Sequence, residues 1–110
     1  LERGTPGEVY NIAGGNEREN LEVTHTILRL VGKPETLIKP VADRVGHDRR
    51  YSLDAGKLHR LGWRPIVPFD AGLEATVRWY MDNEWWWKPI KDHDGEFRAY
   101  YERQYGDRLK

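Results

Sequence analysis

The feature that most constrains the fold is a helical repeat of apolar residues between two short segments rich in strand-forming residues. After Asn20, apolar side chains recur at helical spacing, and Gly32 and Pro34 follow them, as residues of these types often do where a helix ends. Residues 9–12 and 37–41 are short apolar runs typical of strands. A strand, a crossover helix and a second strand normally give a parallel pair. The sequence therefore predicts an α/β fold with a small parallel sheet and a mostly helical remainder.

Polar residues mark the expected starts of the helices. Asn20 is the predicted N-cap of the first helix, because its side chain can accept a backbone N–H. Asp54 and Asp70 are the predicted N-caps of a short and a longer helix, the longer one running toward three consecutive tryptophans and ending by Pro89. The aromatic and charged tail, residues 97–110, is expected to form a last helix.

The predicted strands are too few to form a stable sheet alone. Residues 50–53 offer a third extended piece, but two or three short strands make a poor independent sheet. We therefore expect partner strands from sequence outside this chain. The first residue is Leu1 rather than Met, and we expect the chain to begin inside a longer reading frame.

Composition excludes several classes of protein. The 110 residues suit one domain, and the 18 basic and 18 acidic residues cancel, whereas a nucleic-acid binder usually has a basic excess. Without cysteine there is neither a disulfide framework nor a thiolate metal site. No apolar run is long enough to span a membrane. Five tryptophans and six tyrosines argue against disorder.

Common catalytic and cofactor motifs are missing from the sequence. The single serine, Ser52, does not lie in a Gly-x-Ser-x-Gly turn, and no tyrosine is followed four positions later by lysine. The four histidines lack the spacing of metal ligands. Gly14 and Gly15 follow a predicted strand, but the third glycine of a dinucleotide fingerprint is absent.

The charged loop of residues 43–51 is the leading candidate for ligand binding. It carries three arginines, one histidine and two aspartates around Gly46. Arginine presents a planar set of donors that matches phosphate oxygens, and a glycine lets the backbone approach a ligand closely. The pattern suits a phosphorylated small molecule. Such a charge run also fits a solvated surface loop, and from the residues alone that interpretation is favoured. For the tryptophans at 85–87, packing is favoured over stacking on a sugar.

Four motifs in order resemble a known family. They are residues 9–17 with Asn20, the loop 43–51, the segment 54–65 with its Leu-Gly-Trp-x-Pro ending, and residues 72–87. Together they are similar to the C-terminal portion of the dTDP-glucose 4,6-dehydratase family, within the extended short-chain dehydrogenase/reductase superfamily. The resemblance covers residue 7 to about residue 90.

The resemblance implies a role as part of a larger enzyme. Residues 1–110 would form the C-terminal nucleotide-sugar-binding lobe, and NAD would be held by an N-terminal Rossmann domain outside this chain. The parent lyase would convert dTDP-glucose to dTDP-4-keto-6-deoxyglucose in carbohydrate biosynthesis. Its catalytic residues have no counterpart here, so the chain alone is expected to be inactive and to hold no cofactor or metal. The parent would be a cytoplasmic homodimer that binds neither nucleic acid nor membrane.

Three substrate-binding residues carry over from the family. Asn20 matches the asparagine near the nucleotide diphosphate, Arg44 the arginine that pairs with the diphosphate, and His47 the histidine beside the nucleotide. One of Arg49 and Arg50 is predicted to be a structural ion-pair partner instead. These matches favour ligand binding by the charged loop over a purely solvated surface.

Two departures from the family pattern leave room for a different base or sugar. Val45 stands where the family usually has proline, and Ala13 stands where it usually has glycine. The alternatives are a related nucleotide-sugar 4-epimerase or decarboxylase, or an autonomous protein-interaction module that uses the tryptophans. Exposed apolar residues along the first predicted strand would argue against an autonomous module.

Overall fold

The computed structural model describes residues 3–43, 45–93 and 95–106. About half of the chain is helical. The helices are α1 (Asn20–Leu30), α2 (Gly56–Arg60), α3 (Phe69–Asp82), α4 (Glu84–His93) and α5 (Gly95–Tyr105), and a single 3₁₀ turn spans Glu35–Leu37. Contacts join α1 to α3, α3 to α4, and α4 to α5.

The end of α1 confirms the helix stop predicted from the sequence. Gly32 adopts a positive φ of 63°. Its N–H donates to the carbonyl of Arg29 at 3.2 Å, and the N–H of Lys33 donates to the carbonyl of Leu28 at 2.9 Å. These two bonds form a Schellman motif, which satisfies carbonyls that a helix end leaves open. Glycine suits the position because it adopts the left-handed conformation without steric cost.

Two of the predicted N-caps are wrong by one or two positions. Glu19 precedes α1 and Pro68 precedes α3, and neither side chain caps its helix. Asn20 and Asp70 lie inside the first turns instead. The third predicted cap, Asp54, lies one residue before the observed N-cap, Ala55. Its Oδ1 accepts the N–H of Gly56, the first residue of α2, at 2.7 Å.

The predicted small parallel sheet is wrong, because no strand forms among the described residues. Residues 9–12 have no regular secondary structure and form no backbone ladder with another segment. Leu37 ends the 3₁₀ turn, and residues 38–43 continue without regular structure. An extended segment becomes a strand only when a second backbone satisfies its N–H and C=O groups. The structure is therefore helical, with extended connectors where the sheet was expected.

The tryptophans lie at the junction of α3 and α4. Trp79 and Trp86 pack edge to face with ring centroids 5.4 Å apart, which supports the packing interpretation. The expectation that the helix would end by Pro89 is confirmed, because α3 ends at Asp82. A separate helix, α4, was not predicted, and Pro89 lies inside it. The predicted last helix is confirmed over residues 97–105 in α5, which contacts α4, and residues 107–110 lie outside the described residues.

The chain covers little of its own apolar surface. Its accessible surface is 10,045 Å², whereas a compact protein of this mass exposes about 6,300 Å². Its radius of gyration is 18.5 Å, against about 13 Å for a compact domain of this length. Ala55 is the one buried hydrophobic residue among those described. Such exposure is typical of a chain that packs against further protein.

Candidate functional site

Glu17 joins the segment before α1 to the charged loop. One carboxylate oxygen accepts the hydroxyl of Ser52, and the other lies 3.4 Å from the guanidinium of Arg50. This ion pair confirms the prediction that one of Arg49 and Arg50 is a structural partner. The loop of residues 43–51 is thereby tied close to the start of the helix that carries Asn20.

Further side-chain contacts align the same two segments in opposite directions. Lys57 pairs with Glu8 and also donates to the carbonyl of Val9 at 2.9 Å. Asn11 Nδ2 donates to the carbonyl of Asp54 at 3.4 Å. As the residue number rises from Glu8 to Glu17 on the first segment, the number of the partner residue falls from 57 to 50 on the second. The neighbour of residues 8–17 is therefore an antiparallel extended segment, held by side chains rather than by a backbone ladder.

Asn20 is the first residue of α1, where the helix presents unpaired backbone N–H groups. Its own carbonyl accepts the hydroxyl of Thr24 at 2.7 Å. Because the first-turn amides and the helix dipole favour negative charge, this end can accept a phosphate or carboxylate. The amide of Asn20 would add a donor beside them.

Arg18 brings a second helix start to the same region. Its guanidinium pairs with Glu22 one turn into α1 and lies 3.7 Å from the carboxylate of Asp70. It also lies over the ring of Phe69, 5.3 Å from the centroid. The N-termini of α1 and α3 are thus held together by one cation.

His47 is fixed within the charged loop by Asp43. Its Nδ1 lies 2.6 Å from the Asp43 carboxylate, and its side chain is 30% exposed. Gly46, with a positive φ of 72°, makes the turn between them. Arg44 lies outside the described residues. Among the described residues no hydrogen bond joins Asn20 and His47 directly, and Glu17 supplies the connection between their segments.

Sequence reasoning missed Glu17 and the role of Lys57. Glu17 lies 35 positions from Ser52 and Lys57 lies 49 from Glu8. No periodicity or local spacing reveals contacts over such separations. Charge complementarity between the two segments was the available signal, although it does not select these partners.

A separate open groove of about 850 Å³ lies beside the N-terminal segment and α2. Its lining includes Tyr10, Leu58, Leu61 and Trp63. The Lys57 ammonium lies 4.6 Å from the centroid of the Tyr10 ring, a cation–π contact. The hydroxyl of Tyr10 accepts the N–H of Thr5, which lowers the pKa of Tyr10 below its ordinary value. The groove is mostly apolar, and the charged residues in its lining are Arg3 and Glu8.

The described residues offer no cluster of side chains for a metal ion. Among residues 3–43, 45–93 and 95–106, no group of three or more His, Cys, Asp or Glu side chains could hold a metal ion. In the same part of the chain, no helix is long and apolar enough to cross a membrane.

The solved and curated proteins that this chain resembles include dTDP-glucose 4,6-dehydratases. The chain is 44% identical over 102 residues to dTDP-glucose 4,6-dehydratase of Escherichia coli, covering 82% of this chain and 28% of that protein. It is 48% identical over 90 residues to the enzyme of Streptomyces antibioticus, covering 81% and 27%. No protein-family model matches the chain.

A solved structure gives the same result. The crystal structure of dTDP-glucose 4,6-dehydratase from Bacillus anthracis in complex with NAD aligns with a TM-score of 0.70 and 49% identity. The alignment covers 76% of this chain and 27% of that one. The predicted resemblance is therefore confirmed: this chain matches the C-terminal portion of dTDP-glucose 4,6-dehydratases. It spans less than a third of the length of the curated relatives.

Proposed function

We propose that residues 1–110 are the C-terminal nucleotide-sugar-binding lobe of a dTDP-glucose 4,6-dehydratase. The parent enzyme removes water from dTDP-glucose to give dTDP-4-keto-6-deoxyglucose. The observation that carries the proposal is the identity of 43–49% to curated and solved enzymes of that name over most of this chain. A cytoplasmic location and a homodimeric parent complete the proposal, and their support is the family resemblance alone.

The described geometry supports a diphosphate site at the start of α1. Asn20 and the first-turn amides offer donors to the phosphate oxygens. Arg44, carried by the charged loop, would supply a guanidinium that pairs with the same group. Because Asp43 occupies Nδ1 of His47, Nε2 is the ring nitrogen through which His47 would contact the nucleotide. In this scheme the chain binds and orients the nucleotide sugar, and the acid, base and redox groups come from elsewhere in the parent.

The residues present do not fit NAD. Gly14 and Gly15 follow an extended segment that forms no strand, and α1 begins five residues after Gly15 without a third glycine. A dinucleotide turn requires a strand, a close glycine turn and the helix that follows it. NAD is therefore assigned to the part of the parent outside this chain.

The exposed apolar residues favour a lobe of a larger enzyme over an autonomous interaction module. Val9 is 79% and Ile12 is 68% exposed, which is the surface expected where further protein packs. The relatives named above are dehydratases, so dehydration is the reaction proposed.

The experiment is to express the parent enzyme and supply dTDP-glucose. We expect mass spectrometry to show a nucleotide-sugar product lighter by one water. Replacing Arg44 with Ala should weaken dTDP-glucose binding by about 1.5–3 kcal/mol, the scale of a hydrogen bond to a charged group. Arg60→Ala, which removes an exposed arginine of α2 away from the charged loop, is the matched control. Unconverted dTDP-glucose, or equal effects of the two substitutions, would contradict the proposal.

A further inference from the structure

The charged loop has little apolar packing of its own. Every residue from 45 to 53 is exposed, with Val45 fully so, Tyr51 at 78% and Leu53 at 60%. Burial of apolar surface therefore contributes little to the position of this loop in the chain. Polar contacts must hold it, and Glu17 supplies the hydrogen bond and the ion pair that reach it from outside.

Glu17 lies close to Asn20 in the sequence, so its contacts with the loop bear on the proposed ligand site. Glu17 lies three residues before Asn20, a distance of at most about 10 Å along an extended backbone. Both of its carboxylate oxygens are engaged with the loop, one by Ser52 and one by Arg50. This side chain therefore joins the segment just before α1 to the loop that carries His47.

We propose that Glu17 is a positioning residue for nucleotide-sugar recognition. Its carboxylate holds the charged loop opposite the N-terminus of α1, so that His47 reaches the nucleotide while Asn20 and the first-turn amides meet the diphosphate. Glu17 does not touch the ligand, because a carboxylate repels a diphosphate. This inference rests on the proposed function, and it adds a residue that the sequence comparison did not single out.

Whether the loss of the Glu17 carboxylate weakens or tightens diphosphate binding distinguishes a positioning role from simple charge repulsion. Removing a carboxylate near an anion site reduces repulsion and should tighten diphosphate binding. Loss of the loop anchor should weaken it instead. Glu19 is the matched control, because it precedes α1 as Glu17 does and its carboxylate has no partner assigned among the described residues. Glu17→Gln and Glu19→Gln each remove one charge while keeping the shape of the side chain.

The experiment measures KM and kcat for dTDP-glucose in the parent enzyme and its two variants. We expect Glu17→Gln to raise KM at least fivefold with kcat changed less than twofold. Glu19→Gln should leave KM unchanged or lower it. Combining Glu17→Gln with Arg50→Gln should add little to the single effect, since both remove the same ion pair. An unchanged or lowered KM for Glu17→Gln would overturn the proposal.

Amide hydrogen exchange distinguishes failure of this inference from failure of the proposed function. In the ligand-free parent, we expect residues 45–53 to exchange several-fold faster in Glu17→Gln than in the wild type or Glu19→Gln. If the wild type does not convert dTDP-glucose, the proposed function fails, and the exchange data still decide whether Glu17 anchors the loop. Equal exchange in all three proteins would overturn the anchoring role, whatever the kinetics.

Discussion

The indole N–H of Trp87 donates to the backbone carbonyl of Tyr80 at 2.8 Å, across the junction between α3 and α4. This bond satisfies a carbonyl in the last turn of α3 and fixes the direction in which α4 leaves. Replacing Trp87 with Phe removes the donor but keeps most of the ring. We expect a loss of about 0.5–1.5 kcal/mol, the net value of one hydrogen bond, in denaturant unfolding of the parent protein. Trp85→Phe should cost less, because Trp85 is 71% exposed. Equal losses would contradict this account of the junction.

The contact between Glu8 and Lys57 should weaken at acidic pH. The Lys57 hydrogen bond and charge hold the pKa of Glu8 below its ordinary value of 4.5. A carboxyl whose pKa is lowered by folding stabilises the fold above its ordinary pKa, and that contribution is lost as pH falls through the lowered value. In an NMR titration of the parent, Lys57→Met should return the pKa of Glu8 toward 4.5. Lys33→Met should leave it unchanged, and a shift of the same size in both variants would refute the assignment.

Replacement by alanine should destabilise the protein at Gly32 and stabilise it at Gly72. Gly32 has a positive φ, so Gly32→Ala places a Cβ in the left-handed region and should cost about 1–2 kcal/mol. Gly72 lies inside α3, where an added Cβ would meet Val67 at an ordinary contact distance of 3.4 Å. Gly72→Ala should therefore stabilise α3 by about 0.5–1 kcal/mol. Thermal unfolding of both variants in the parent checks the pair, and effects of the same sign would count against it.

Asn20→Ala separates capping from ligand binding. The side chain of Asn20 does not cap α1, because Glu19 holds the N-cap position and neither residue's side chain makes the cap bond. We expect the free energy of unfolding to change by less than about 0.5 kcal/mol, as at an ordinary surface position. The KM of the parent for dTDP-glucose should rise if the proposed role is correct. A large loss of stability together with an unchanged KM would show instead that Asn20 stabilises the helix start and does not bind the ligand.

Pro89→Ala should stabilise α4. Pro89 lies at an interior position of that helix, where it lacks the N–H that would bond to the carbonyl of Trp85. Restoring the donor should contribute up to about 3 kcal/mol, measured by denaturant unfolding and by slower amide exchange across α4. Ile90→Ala, at the next and half-exposed position, tests whether any alanine has this effect. Stabilisation by both would show that the missing N–H is not the cause.

Local signals in the sequence predicted some parts of the structure well. The end of α1 at Gly32 was predictable because one glycine conformation decides it. The helix α3, which leads to the tryptophan cluster, followed from apolar spacing. Asn20 and Asp70 were assigned as caps because their residue types favour that role, yet Glu19 and Pro68 occupy those positions. Local preference does not fix a helix start to within one residue.

The sheet and the loop anchor could not be predicted in the same way. Residues 9–12 have the composition of a strand, but strand formation depends on a second backbone, which local sequence does not specify. The Glu17 contacts with Arg50 and Ser52 join residues more than 30 positions apart, so no local pattern encodes them. The family resemblance supplied Asn20, Arg44 and His47, and only the three-dimensional structure showed which side chain links their segments.

The burial of Ala55 alone among the described hydrophobic residues has a consequence for how this sequence tolerates variation. Distant substitutions usually influence one another through a shared interior that must repack, and here the chain itself provides almost none. Substitutions in separate contacts should therefore have additive effects on the free energy of unfolding. Each contact can change, in evolution or by engineering, without compensating substitutions elsewhere in these residues.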